Sequence, residues 1–315
     1  MEFISGLMSS MPGAVAQGMI WGIMALGVYI TYKILDIADL TVDGSLCTGG
    51  AVCVILTING YPTWFAFVAA FISGLLAGMV TGILHTKFGI PAILAGILTQ
   101  LALYSINLHI MGWGTTNGSK SNLPVSVDKY SLVVSSRYIR EMSIKNPLVV
   151  LVIFIIVTIA VLYWFFGTEL GASLRATGAN GNMARAQGIN TDMTKVLGLM
   201  ISNAFVTLSG ALLAQYQGFS DINMGRGAIV IGLAAVIIGE VVFNRIFHNF
   251  ALKMVACVIG AIIYYIVIQV VLRLGLSTDD LKLLSALVVA LFLAIPYWKS
   301  KYMTKRVKKG GNANA

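Results

Sequence analysis

Residues 174–190, LRATGANGNMARAQGIN, are the most polar interruption in a chain that is otherwise close to lipid-like. Apolar runs flank them on both sides: PLVVLVIFIIVTIAVLYWFF (147–166) before, and KVLGLMISNAFVTLSGALLAQY (195–216) after. Each run is about the 20 residues that an α-helix needs to cross the hydrocarbon core. The polar stretch therefore joins two membrane spans. Within it, Asn180 is placed to cap a short helix by accepting a backbone N–H. Residues 181–187 give about two turns, Gly188 supplies a left-handed stop, and Ile189 packs back on the helix. Met183 and Gln187 share one face of this helix, and Arg185 projects from another. So short a helix is not stable alone in water and must pack against something. Its apolar face, Met183, Ala184 and Ala186 with Ile189, is poor for membrane burial, so a protein groove is the expected counterpart.

Outward from this loop the composition agrees. Of 315 residues, 58% are apolar and 10% charged, and the mean hydropathy is +0.87. A soluble domain carries about 25% charged residues. The expected fold is an all-α polytopic membrane protein forming one transmembrane domain over 1–315. About nine segments, within a range of eight to ten, span or re-enter the bilayer: near 12–33, 44–58, 62–84, 89–111, 147–166, 195–216, 226–243, 249–271 and 281–298. The N-terminal run opens with Glu2 and lacks a basic leader, so it reads as a retained span. The net charge of +9 is no nucleic-acid signal. Six lysines and arginines sit in the tail at 299–315, where they suit the anionic cytoplasmic leaflet. With that tail inside, 167–195 and 244–248 lie inside, and 112–146 and 217–226 outside. Thirteen basic residues then fall inside against eight outside, the direction of the positive-inside rule.

Several segments are built to pack against protein. Gly74, Gly78 and Gly82 recur at four-residue spacing and leave one helix face nearly bare backbone. Asn203, Thr207 and Gly210 form a small polar face. Gln100, Tyr104 and Asn107 make a stripe that serves either as interhelical glue or as the wall of a solute path. Asp36, Asp39 and Asp43 precede a short glycine-rich apolar run, and Glu240 lies on another. A carboxylate at the bilayer centre costs about 2.5–3.5 kcal/mol on the insertion scale, so these acids sit at an interface or line water. Two interrupted segments in comparable halves are what an inverted repeat produces. Asp39, Asp43, Gln100, Asn107, Asn203 and Glu240 are thus the candidate pathway residues. Cys47, Cys53 and Cys257 lie in apolar runs and read as buried hydrophobes. No Cys/His cluster has metal-ligand spacing, and no phosphate-binding loop or catalytic triad pattern is present.

The pattern G-x-x-L-R-A-x-G-x-N-x-x-M-A-x-x-x-G-I, from Gly171 to Ile189, followed by INMGRGAIVIGLAAVIIGE, resembles the permease subunits of ABC importers of the branched-chain amino acid and ribose group. The resemblance runs from about residue 12 to 298. It implies that the polar loop is a coupling helix that docks into an ATPase subunit, through Arg175, Gly178, Asn180, Met183, Ala184, Arg185, Gln187, Gly188 and Ile189. ATP and magnesium would then be held by that partner, with no cofactor on this chain. It also implies an extracytoplasmic solute-binding protein, which Arg137 and Arg140 of the 112–146 loop would help dock. A second permease subunit, either the same chain in a homodimer or a similar one, and a bacterial plasma-membrane location follow from the same resemblance. The stretches LTVDGSLCTGGAV (40–52) and LHTKFGIPAILAGILTQLALYSINL (84–108) look closest to the branch assigned to aromatic amino acids. An ion-coupled symporter using its intramembrane carboxylates is the alternative. His85, His109 and His248 are too scattered to point to an enzyme, and nothing resembles a channel filter.

Overall fold

The structure, a computed structural model, describes residues 2–114, 118–130, 132–139, 146–243, 247, 249–273, 283, 286–292 and 294. Six helices among them are long and apolar enough to cross a membrane. They are α1 (Glu2–Tyr29, prolonged by a π turn at Ile30–Ile34), α3 (Thr63–Thr86), α4 (Ala92–Met111), α5 (Pro147–Gly167), α8 (Thr191–Gln217) and α10 (Phe250–Arg273). Two shorter apolar helices, α2 (Val42–Ile58) and α9 (Ala228–Phe243), complete the bundle with a pair of amphipathic ones, α6 (Glu169–Ala179) and α7 (Gly181–Ala186). The ninth candidate segment falls mostly outside the described residues. Within it Val288 and Val289 are buried beside Tyr264 and Ile238. The basic tail, Arg140 and His248 lie outside the described residues altogether.

Composition sorts the helices between protein and lipid. α1 and α8 are each 72% buried over their apolar windows, whereas α5 is 17% buried. α8 carries Ser202, Asn203, Thr207, Ser209 and Gly210, all buried. Such small and polar groups gain nothing from lipid and much from close packing. α5 is almost wholly branched aliphatic and aromatic, and most of its surface faces outward.

The glycine stripe of α3 lies against α8. A Cβ at Gly74 would collide with the Asn203 carbonyl, and one at Gly78 with the Leu199 carbonyl. At Gly82 it would come within 2.8 Å of Val196 Cα. Beside that seam, Gly210 of α8 rests on the Leu46 carbonyl of α2, and Gly49 of α2 on the Thr207 carbonyl. α8 is thus held by two helices through backbone touching backbone, where dispersion acts at its shortest range.

Two departures from the expected fold are local. The fold is not purely helical: β1 (Asn122–Pro124) and β2 (Phe219–Asp221) pair antiparallel. This ribbon folds the 112–146 loop back onto the end of the bundle. Val134 and Ser135 are buried there, and the Val133 N–H donates to Gln215 Oε1 at 3.1 Å. The polar loop is also more helical than its sequence announces. Residues 169–179 form α6, capped by Thr168, whose Oγ1 accepts from the Gly171 N–H. α8 begins at Thr191, four residues before the expected span, with Asn190 as its cap.

Candidate functional site

The corner between α5 and α8 follows local rules closely. Asn180 is extended (φ −160°, ψ 98°) and ends α6 while starting α7. Its backbone N–H donates to the Ala176 carbonyl, and its Oδ1 accepts from the Met183 N–H, both at 3.0 Å. At the other end the Gly188 N–H donates to Arg185 and the Ile189 N–H to Ala184, at 3.0 and 3.1 Å. With Gly188 at φ +83°, this is a complete Schellman stop. Of the candidate coupling residues, Met183 and Gln187 are exposed, whereas Ala184 is buried at the root of the turn. Arg185 does not project freely. Its guanidinium donates to Thr191 Oγ1 at 2.8 and 3.2 Å and lies 3.7 Å from the Asp192 carboxylate, stitching α7 to α8. Arg175 lies over the Phe250 ring of α10, 6.0 Å from its centroid. Gly178 has its backbone so close to the Ile34 carbonyl that a Cβ would not fit. α6 therefore rests directly on the π turn that ends α1.

The candidate pathway residues separate into three places. Asp39 and Asn203 meet in the core: Asn203 Nδ2 donates to Asp39 Oδ2 at 2.7 Å, and the Thr41 N–H to Asp39 Oδ1 at 2.9 Å. Ser45 donates to Asn203 Oδ1 at 2.6 Å. A further chain of hydroxyls, Thr41–Thr81–Thr99, carries the network to α3 and α4. Both residues are at most 2% exposed, so they line no open space and act where they stand, as a satisfied polar knot between helices.

Asp43, Gln100 and Asn107 come together around a cavity of about 220 Å³, joined by Tyr104 and Arg226. Here α2 and α9 meet N-terminus to N-terminus. Asp43 Oδ2 accepts from the Gly227 N–H and Oδ1 from the Ile229 N–H, both at 3.0 Å. One carboxylate thus satisfies the orphan donors at the start of another helix and complements its dipole. Gly225 backs directly onto the Asp43 carbonyl. The junction lies at mid-height, since Gly44 packs on Gln100 and Leu103 in the middle of α4, and Ser45 on Asn203 in the middle of α8. Residues 222–226, expected in an outside loop, descend into the bundle.

Glu240 sits apart. It pairs with Lys33 of the π turn at 2.7 Å, both side chains nearly half exposed, beside a small pocket that includes Tyr29 and Lys253. On the loop bearing the ribbon, Arg137 pairs with Asp128. Arg226 is the residue that the sequence reading missed. An arginine between two glycines at the lip of a short apolar segment was the available signal.

The description "Branched-chain amino acid transport system / permease component" matches residues 10–296. The "Tyrosine transport system permease protein" of Clostridioides difficile (strain R20291) is 42% identical over 287 residues, covering 91% of each chain. An uncharacterized protein of Rickettsia prowazekii (strain Madrid E) is 35% identical over 283 residues, 89% of this chain and 95% of that one. The "Autoinducer 2 import system permease protein LsrC" of Yersinia pseudotuberculosis (strain PB1/+) is 29% identical over 222 residues, 70% of this chain and 58% of that one. Among solved structures, a metal-chelate type ABC transporter in an inward-facing conformation shares the fold, with a TM-score of 0.52 at 14% identity, covering 91% of this chain and 85% of that one. With its membrane-spanning helices and its match over residues 10–296, this chain belongs to the family of branched-chain amino acid transport system permease components.

Proposed function

We propose that the chain is the membrane-spanning subunit of an ATP-driven importer that carries an amino acid, of the aromatic kind, into a bacterial cell. The observation that carries this reading is α7: six residues, capped at both ends, presenting Met183 and Gln187 outward. A helix so short exists only because the corner is stitched around it, and its exposed face has the size of a groove-filling knob. A cytoplasmic ATPase, holding ATP and magnesium, grips that knob. The push passes through α6 to the π turn of α1. On the far side, the ribbon-bearing loop with Arg137 receives a solute-binding protein, and a second copy of the chain completes the permease. The tyrosine permease relative supports the amino-acid assignment. We assign Asp43, Gln100 and Asn107 to the solute path, and Asp39 with Asn203 to holding its walls. The meeting of α2 and α9 at mid-height fits an inverted repeat with discontinuous helices at its centre.

A symporter would need a carboxylate free to exchange an ion. Within the bundle, Asp39 is bound by Asn203, Asp43 by the start of α9, and Glu240 by Lys33. Asp36 is exposed beyond the π turn of α1, in an open pocket with His85 and Lys195. The occupied intramembrane acids favour the ATP-driven reading. The test is gentle-detergent purification from the native membrane, wild type beside Met183→Asp with Gln187→Glu. These exposed positions leave the stitching of Arg185 intact. An ATPase that accompanies the wild type and is lost from the double variant is the expected result. Uptake that continues on an ion gradient, with no ATPase in either sample, would overturn the reading in favour of symport.

A further inference from the structure

The cavity at the α2–α9 junction holds one polar atom with no partner. Asn107 is 1% exposed, and its Nδ2 donates to the Gly44 carbonyl at 3.3 Å. Its Oδ1 is buried without a hydrogen bond among the described residues. Rotating the amide would turn Oδ1 onto the Gly44 carbonyl, so the assignment follows from its surroundings. The neighbouring Cys47 thiol lies within reach of the Asn107 amide, but its hydrogen bond runs to the Asp221 carbonyl at 3.4 Å. A buried acceptor left open is costly, and native proteins keep few of them.

The same cavity is lined by an open cation. Arg226 makes no ion pair among the described residues. The carboxylate beside it, Asp43, is already occupied by two backbone N–H groups. Arg226 also borders a second cavity of about 550 Å³ beyond Gly227, lined by Gln17, Tyr265 and Gln269. It therefore stands between two spaces, on a turn that Gly225 and Gly227 (φ +84°) shape. A guanidinium at mid-height of a membrane bundle is costly unless it serves a polar pathway.

An exposed donor fork and a buried acceptor, both without a side-chain partner among the described residues, border one cavity and match a molecule with a carboxylate and an ammonium on one carbon. We infer that this cavity is a recognition subsite for the head group of an α-amino acid within the permease itself, Arg226 taking the carboxylate and Asn107 Oδ1 the ammonium. The guanidinium fork suits a carboxylate bidentately. The Asp43 charge adds a favourable field for the ammonium. The exposed Leu101 and Tyr104 at the rim are left for the side chain. This inference rests on the amino-acid reading above and extends it: selection occurs a second time after delivery, inside the membrane subunit.

The test uses the permease–ATPase complex in lipid nanodiscs without its binding protein, and saturable binding of radiolabelled L-tyrosine. Competitors are unlabelled L-tyrosine, tyramine, which lacks the carboxylate, and 3-(4-hydroxyphenyl)propanoate, which lacks the ammonium. Binding that L-tyrosine displaces, and that neither half-molecule displaces at ten-fold higher concentration, is expected. Arg226→Gln and Asn107→Leu each weaken it ten-fold or more, about 1.4 kcal/mol, and Arg226→Lys restores part of the loss. The competition series is read on the wild type, so it does not depend on a variant folding. Equal displacement by either half-molecule overturns the subsite. So does an absence of saturable binding in a complex whose proteoliposomes, given the binding protein, still import tyrosine. Proteoliposomes that import no labelled amino acid at all would instead bring down the underlying transport reading.

Discussion

Two helices of this protein are capped by the same chemistry from very different distances. α7 is capped by Asn180, the residue immediately before it. α9 is capped by Asp43, which lies 184 and 186 residues from the N–H groups it accepts. In both, a side-chain oxygen satisfies donors that the first turn leaves open. The near cap shapes a corner and leaves the rest of the bundle indifferent to it. The far cap joins two interrupted helices, and the bundle depends on it. Range along the chain, more than the bond itself, decides how far a loss will spread.

The largest expected effect comes from closing the space that lets remote segments meet at all. Gly78→Leu forces a side chain into the Leu199 carbonyl, and overpacking of this kind costs about 1–3 kcal/mol or more. The yield of monodisperse protein in detergent should fall ten-fold or more. A normal yield would show that α3 and α8 are not in backbone contact. Next comes the far cap. Asp43→Ala should cost about 1–2 kcal/mol and lower the thermal midpoint of the whole subunit, with Asp43→Asn in between. An unchanged midpoint for Asp43→Ala would erase the contrast between the two caps. The near cap is expected to act only locally. Asn180→Ala should cost about 1 kcal/mol, read as roughly five-fold faster amide exchange at Met183 and Ala184 with the global midpoint unmoved. The smallest effect belongs to Lys33→Gln. Its pair with Glu240 is nearly half exposed, and such pairs contribute about 0–1 kcal/mol. The variant should shift the midpoint by no more than a degree or two, and less in high salt.

The same contrast of range explains what could be read from the chain. Asn180, Gly188 and Ile189 announce their roles because caps and stops are written within a few residues. The stripe Gly74–Gly78–Gly82 announces close packing, though not that α8 is its counterpart. α6 went unread because Thr168 and a weakly apolar, glycine-containing run look like loop until Leu174 and Thr177 find the bundle. Arg185 projects from its own face and is exposed, but its bonds to Thr191 and Asp192 could not be read because those partners lie around a turn. Asp39, Asp43 and Glu240 looked alike in the sequence. The fold gives them an amide, a helix end and a lysine respectively. Arg226 could not be drawn to Asn107 by any pattern, since their neighbourhood arises only where the 222–227 turn descends toward α4.

Where Gly178 lies on the Ile34 carbonyl, no side chain intervenes between α6 and the end of α1. Side chains are compressible links: they swing between rotamers and absorb small displacements. A joint made of two backbones has no such play. Under the coupling role proposed for α7, a movement entering there would arrive at the π turn without lost motion, as in a gear train cut with zero backlash. Substituting a larger residue at this position would change the spacing of the linkage, and with it the stroke.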